Sequence, residues 1–206
     1  MAAIRKEIRA FLQTKDPNGK NIGQCKFGIY AFYDYDGEPI YVGKTYEGVS
    51  SRIGRHLTNQ RTDAVAMNVL DPFEVAEIRV WPLDFSRFNK TKALQYLSQA
   101  EYTVFQKVLA ESNLGAVLNE KPPPVTQLFD LPKDYRGRIV PDEIYPLRKH
   151  PDIRIARRAN TIASLARVIS ERKVSRGLRK TLLTQARRLE KLAAERLKEF
   201  KGRPDD

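Results

Sequence analysis

The chain has 206 residues, of which 41% are apolar, and a formal net charge of +12. These values suit a globular protein of one ordinary domain with an appendage and exclude a disordered chain. No apolar run reaches the roughly 20 residues that a membrane helix needs, so no membrane partner is expected.

The first part of the chain predicts a leading helix and then a strand hairpin. Apolar residues at helical spacing predict a helix within residues 1–13, which a turn signal at residues 16–19 ends. Alternating aromatic and β-branched residues predict a strand over residues 27–33. A hairpin turn at Asp36-Gly37 then leads to a partner strand over residues 40–43.

The elements that follow complete an α+β core. The pattern predicts a helix over residues 50–57, a third strand over residues 73–81 and a long amphipathic helix over residues 92–109. We therefore expect a small three-stranded antiparallel sheet flanked by helices, with a C-terminal α-helical hairpin.

Proline and charge divide the chain further. Three consecutive prolines at positions 122–124 force an extended path, and we place the end of the core there. The predicted segments are an N-terminal helix and lead-in (1–25), a core (26–121), a proline-rich connector (122–150) and a basic helical hairpin (151–206).

The positive charge is concentrated in the last 61 residues, which hold 18 lysines and arginines against 7 acidic residues. A basic block of this size attracts phosphate polymers and gains affinity by releasing counterions. DNA is the expected partner. The predicted nucleic-acid contacts lie on the last helix: Arg179, Lys180, Arg187, Arg188 and Lys191.

Two short motifs carry the chemistry. Gly28-Ile29-Tyr30 lies on the first strand and Tyr41-Val42-Gly43 on the second, so the two tyrosines can converge. Arg52 and His56 follow at a spacing of four, on one face of the next helix. With Glu101 on the long helix, this order resembles the GIY-YIG nuclease family, and the Arg52–His56 spacing is typical of its restriction endonucleases.

The resemblance implies a role for each of these side chains. Tyr30 and Tyr41 would position the attacking water or take its proton, and His56 would accept a proton from Tyr30. Arg52 would hold the scissile phosphate, because its planar fork matches phosphate oxygens.

Three further residues complete the expected site. Glu101 would bind Mg²⁺ (or Mn²⁺), which often needs only one protein carboxylate. Glu111, at the end of the same helix, is the alternative ligand. Lys44 would contact the phosphate or assist the water, and Asn119 resembles the family asparagine that braces the site.

The predicted function is a Mg²⁺-dependent endonuclease that hydrolyses DNA, with a role in restriction or defence. One alternative is a catalytically silent nucleic-acid-binding module. Another is the nuclease subunit of a larger defence or repair assembly, since the C-terminal helices could form a homodimer or bind another protein. The single cysteine, Cys25, excludes an internal disulfide, and a cytoplasmic location is the default expectation.

Overall fold

The computed structural model describes residues 2–57 and 69–200. The helices are α1 Ala2–Leu12, α2 Val49–Leu57, α3 Lys90–Glu111, α4 Tyr145–Lys149, α5 Pro151–Glu171 and α6 Arg176–Lys198; the strands are β1 Phe27–Tyr33, β2 Pro39–Thr45, β3 Glu77–Leu83 and β4 Tyr135–Arg138. The predicted α+β architecture with its C-terminal helical hairpin is confirmed. Among the helices of these residues, none is long and apolar enough to cross a bilayer.

The sheet has four antiparallel strands in the order β2-β1-β3-β4, where the sequence predicted three. The fourth strand comes from the segment predicted as a connector. Its sequence, Tyr-Arg-Gly-Arg, has no apolar alternation to signal a strand. Ion pairing contributes to its position instead, because Arg136 on β4 pairs with Glu77 on β3.

The two faces of the sheet carry different helices, since side chains alternate along a strand. Tyr30 and Phe32 of β1 pack in one buried cluster with Ile53 of α2. Ile29 and Ala31 pack in a second cluster with apolar residues of α3. The first strand is therefore covered on both faces, and its side chains reach two separate layers.

The C-terminal helices α5 and α6 form an antiparallel hairpin, and Ser175 caps α6 by accepting a hydrogen bond from the amide of Leu178. The buried face of α6 is largely polar and includes Thr181, Gln185 and Arg188. The apolar residues of α6 are only partly buried: Leu178 and Leu192 are buried, whereas Leu197 is 66% exposed.

The polar face of α6 packs on the turn between β1 and β2. Asp34, in that turn, accepts hydrogen bonds from Arg188 at 2.7 Å and Arg158 at 3.0 Å. Arg154 reaches Asp36 at 2.6 Å, and Arg158 also donates to Glu74 at 2.8 Å. We call these six residues the arginine cluster.

The arginine cluster corrects one prediction. Arg188 is only 3% exposed and is held by Asp34, so its prediction as a nucleic-acid contact was wrong. The other four predicted contacts on α6, namely Arg179, Lys180, Arg187 and Lys191, are exposed. The error has a simple cause: Arg188 pairs with a carboxylate more than 150 positions away, which local sequence does not reveal.

Candidate active site

A buried hydrogen bond joins β1 to α2 at the centre of the candidate site. Tyr30 is fully buried on the α2 side of the sheet, and its hydroxyl lies 2.9 Å from Nε2 of His56. The ring centroid of Tyr41 lies 5.3 Å from that of His56 and 6.3 Å from that of Tyr30. The structure thus brings both predicted phenols and the predicted imidazole together.

The register of the hairpin explains the glycine of the second motif. Tyr30 pairs with Gly43 across the two strands. A Cβ atom on Gly43 would lie 2.4 Å from the Tyr30 hydroxyl oxygen and 2.5 Å from its Cζ. Only a residue without a side chain leaves room for the phenol to reach His56.

Arg52 lies one turn before His56 on α2 and is half-buried. Burial disfavours its charge, but the phenols of Tyr30 and Tyr41 outweigh burial and raise the pKa of Arg52 above its ordinary value. Its Nε is buried and has no hydrogen-bond partner among the described residues. This side chain therefore stays cationic beside the two phenols.

Glu101 and Lys44 form a second group on the opposite side of β2. Nζ of Lys44 lies 2.8 Å from Oε2 of Glu101, and it also donates to Oγ of Ser98 at 3.2 Å. The hydrogen bonds and ion pairs of the described residues connect Glu101 to Lys44 rather than to the phenols. Strand β2, which carries both Tyr41 and Lys44, connects the two groups.

Asn119 fixes the outer edge of β2. Its side-chain nitrogen donates to the carbonyl of Val42 at 2.7 Å, and its oxygen accepts from the amide of Val42 at 3.0 Å. Leu118 adds a backbone hydrogen bond to Ile40 at 2.7 Å. The amide of Asn119 imitates a neighbouring strand and holds Tyr41, which lies between these two positions.

The donor set suits a hard divalent cation. Within the described parts of the chain, no group of three or more His, Cys, Asp and Glu side chains could enclose a metal. Glu101 offers one partly exposed carboxylate, and Mg²⁺ is commonly held by one or two carboxylates, with water and phosphate oxygens completing its shell. The alternative ligand, Glu111, already accepts hydrogen bonds from Tyr33 and Arg79.

Sequence reasoning missed Ser98, which contacts the predicted phosphate-binding lysine. Ser98 lies three positions before Glu101, so both face the same side of α3. That spacing was the available signal. A serine on a helix surface is too common to stand out without the position of Lys44.

One comparison with known proteins matches the part of the chain that carries this site. The family model described as the GIY-YIG catalytic domain matches residues 26–113. This segment contains both tyrosine motifs, α2 and α3, whereas α1, β4, α5 and α6 lie outside it. Searches of curated proteins and of solved structures found no significant match.

Proposed function

We propose that the protein, whose residues 26–113 match the GIY-YIG catalytic domain, is an endonuclease that hydrolyses phosphodiester bonds in DNA with Mg²⁺ or Mn²⁺. The observation that carries the proposal is the Tyr30–His56 hydrogen bond beside the cationic Arg52. The Tyr30–His56 hydrogen bond gives the site a path for proton transfer. Arg52, beside it, gives the site a binding point for a phosphate.

The proton route begins at Tyr30. In the proposed step, a water oxygen attacks the phosphorus and forms a new P–O bond while the bond to the leaving oxygen breaks, and that oxygen takes up a proton from solvent. Tyr30 takes the proton that the water loses and passes its own hydroxyl proton to Nε2 of His56, 2.9 Å away. This transfer requires the tautomer of His56 that is unprotonated at Nε2. A cation beside a phenol favours its deprotonated form, so Arg52 supports this role.

Arg52 would neutralise the phosphate. Its cationic guanidinium would bind an oxygen of the scissile group, where fixed donors stabilise the charge that develops in the transition state. Glu101 would hold the divalent ion, which would supply Lewis-acid stabilisation of the phosphate and the leaving oxygen. Asn119 and Gly43 would act by positioning Tyr41 and Tyr30.

The basic surface of α6 supports DNA as the substrate. Arg179, Lys180, Arg187 and Lys191 are exposed, and exposed cations of this kind gain affinity for DNA by releasing its counterions. The spacing of four between Arg52 and His56 is typical of the restriction endonucleases of the family. This spacing supports a role in restriction or defence.

The test is digestion of plasmid DNA with Mg²⁺, with Mn²⁺ and with EDTA. We expect cleavage only with a divalent ion. Glu101→Gln should slow cleavage at least about a hundredfold, because electrostatic stabilisation is usually the largest catalytic term. Its DNA affinity measured in EDTA should stay close to that of the parent.

Glu111→Gln is the matched control, since it makes the same change on the same helix at a carboxylate occupied by Tyr33 and Arg79. This variant should still cleave. Cleavage by Glu101→Gln at the parental rate would refute the role of Glu101. DNA binding by the parent without cleavage under any divalent ion would favour the silent binding module.

A further inference from the structure

A groove of about 460 Å³ separates α1 from α2. Its wall on α1 contains Arg5 and Arg9, one turn apart, and its wall on α2 contains Ser51 and Arg55. We call it the α1–α2 groove. The remaining lining residues are apolar, amide, hydroxyl or glycine residues: Ile8, Leu12, Gln13, Asn21, Gly23, Gln24, Ser50 and Gly54.

The lining of this groove has one sign of charge. Among the described residues, the lining contains three arginines and no aspartate or glutamate. Arg5 and Arg9 are exposed. Arg55 makes an ion pair with Glu47 at 2.5 Å, but both side chains are about half exposed, and such pairs contribute little and exchange readily. A cleft lined by one charge sign concentrates ions of the opposite sign.

Tight packing forms the floor of the groove. A Cβ atom on Gly23 would lie 2.3 Å from Oγ of Ser50 and 2.9 Å from Cβ of Leu12. The turn at Gly23 therefore touches both walls and holds α1 against the start of α2. This contact gives the groove a fixed width, which an isolated pair of surface helices would not have.

The groove adjoins the candidate active site through a single helix. Helix α2 carries Arg52 and His56 toward the sheet and Ser51 and Arg55 toward the groove. A helix is about 10 Å across, and one strand of DNA places a phosphate about every 3.4 Å along the duplex axis. A strand bound at Arg52 can therefore reach the groove within a few nucleotides.

We propose that the α1–α2 groove binds the phosphate backbone of the DNA substrate beside the scissile bond, with Arg5 and Arg9 as its main contacts. The proposal rests on the proposed nuclease function and adds a substrate-binding surface to it. Helix α1 lies outside the segment that the family model matches, so the α1 wall of this groove, with Arg5 and Arg9, belongs to the additional part of the chain.

The test compares two double variants that remove equal charge. Arg5→Gln/Arg9→Gln removes the groove arginines, whereas Lys6→Gln/Lys15→Gln removes two exposed lysines nearby that do not line the groove. Fluorescence anisotropy with a labelled duplex, in EDTA and over a series of salt concentrations, gives Kd and its salt dependence. Thermal unfolding of each variant verifies that it is folded.

We expect the groove variant to raise Kd about tenfold and to reduce the slope of log Kd against log salt by about 2, one unit for each lost phosphate contact. The control should change Kd less than about threefold, with an unchanged slope. Equal effects of the two variants, or a groove variant that binds like the parent, would overturn the groove proposal. If the parent still cleaves DNA in that case, the nuclease proposal survives; a parent that neither binds nor cleaves DNA removes both.

Discussion

The ammonium group of Lys44 lies 2.8 Å from Oε2 of Glu101, so the carboxylate proposed to bind the metal already has a positive partner. The two side chains are 34% and 17% exposed. Water therefore weakens the pair, and pairs in such surroundings are worth up to about 1 kcal/mol. A divalent ion and the lysine compete for the same oxygen.

Replacing this lysine should strengthen metal binding. In Lys44→Met, Glu101 no longer has a lysine that competes with the metal. The midpoint, which is the Mg²⁺ concentration that gives half of the maximal thermal stabilisation, should therefore fall about fivefold. This change is equivalent to about 1 kcal/mol. The measurement is thermal unfolding without DNA over a Mg²⁺ titration. Lys6→Met, on the exposed side of α1, is the control and should leave the midpoint unchanged. A higher midpoint in Lys44→Met would contradict the competition.

Gly43→Ala should displace the phenol of Tyr30, since the added Cβ would lie 2.4 Å from its hydroxyl oxygen. Overpacking of this kind typically costs about 1–3 kcal/mol of stability, and a misplacement of about 1 Å at a catalytic group can cost about a hundredfold in rate. The measurements are urea unfolding and plasmid cleavage.

A double variant tests whether the glycine acts through the hydroxyl. Tyr30→Phe removes the group that contacts His56, and Gly43→Ala moves it. If the glycine only makes room for that hydroxyl, the double variant should cleave no more slowly than Tyr30→Phe alone. Losses that add would show that Gly43 also makes room for the ring itself, whose Cζ would lie 2.5 Å from the added Cβ and remains in Tyr30→Phe.

Two adjacent arginines of α6 should behave differently. Arg188→Gln removes the 2.7 Å partner of the buried Asp34, which keeps Arg158 at 3.0 Å. The cost should therefore be large but below the roughly 3–5 kcal/mol of a fully broken buried pair. Arg187→Gln, at an exposed position, should change the free energy of unfolding by less than about 0.5 kcal/mol but weaken DNA binding. Equal stability losses would contradict the buried role of Arg188.

Glu38 should make stability depend on pH. Burial raises its pKa, but hydrogen bonds from Ser112, Asn113 and Leu114 outweigh burial and hold the pKa of Glu38 below its ordinary value. Because the folded pKa is the lower one, this stabilisation is present above the ordinary pKa of about 4.3. It is lost as the pH falls through the folded value.

The matching variant is Glu38→Gln. It should cost about 1–3 kcal/mol at pH 7, where it weakens hydrogen bonds to a buried carboxylate. The difference from the parent should shrink at a pH below the ordinary glutamate value of about 4.3, as the parent carboxylate takes up a proton through its lower folded pKa. Urea unfolding at both pH values measures it. A difference that stays constant would show that the charge of Glu38 does not matter.

The local features of the core could be predicted from the sequence because neighbours in the chain determine them. The turn at Asp36-Gly37 places Tyr30 and Tyr41 on paired strands, and helical spacing places Arg52 and His56 one turn apart on α2. Each of these relationships spans few residues, so composition and spacing determine it.

The rest depends on contacts between distant residues. Arg188 carries the same charge as the exposed Arg187, and only Asp34, in a turn far earlier in the chain, distinguishes the two positions. Strand β4 is held partly by its pairing with Glu77 and has no pattern of its own. In the same way, Glu101, the ion-pair partner of Lys44, lies on α3 and meets the lysine only in the folded protein.

Strand β4 also covers one edge of β3, which a shorter fragment of the chain would expose. In a fragment limited to residues 26–113, β3 would be an edge strand with unpaired amides and carbonyls. An exposed edge strand of this kind promotes edge-to-edge aggregation. The segment that the family model matches is therefore shorter than the segment that completes the sheet.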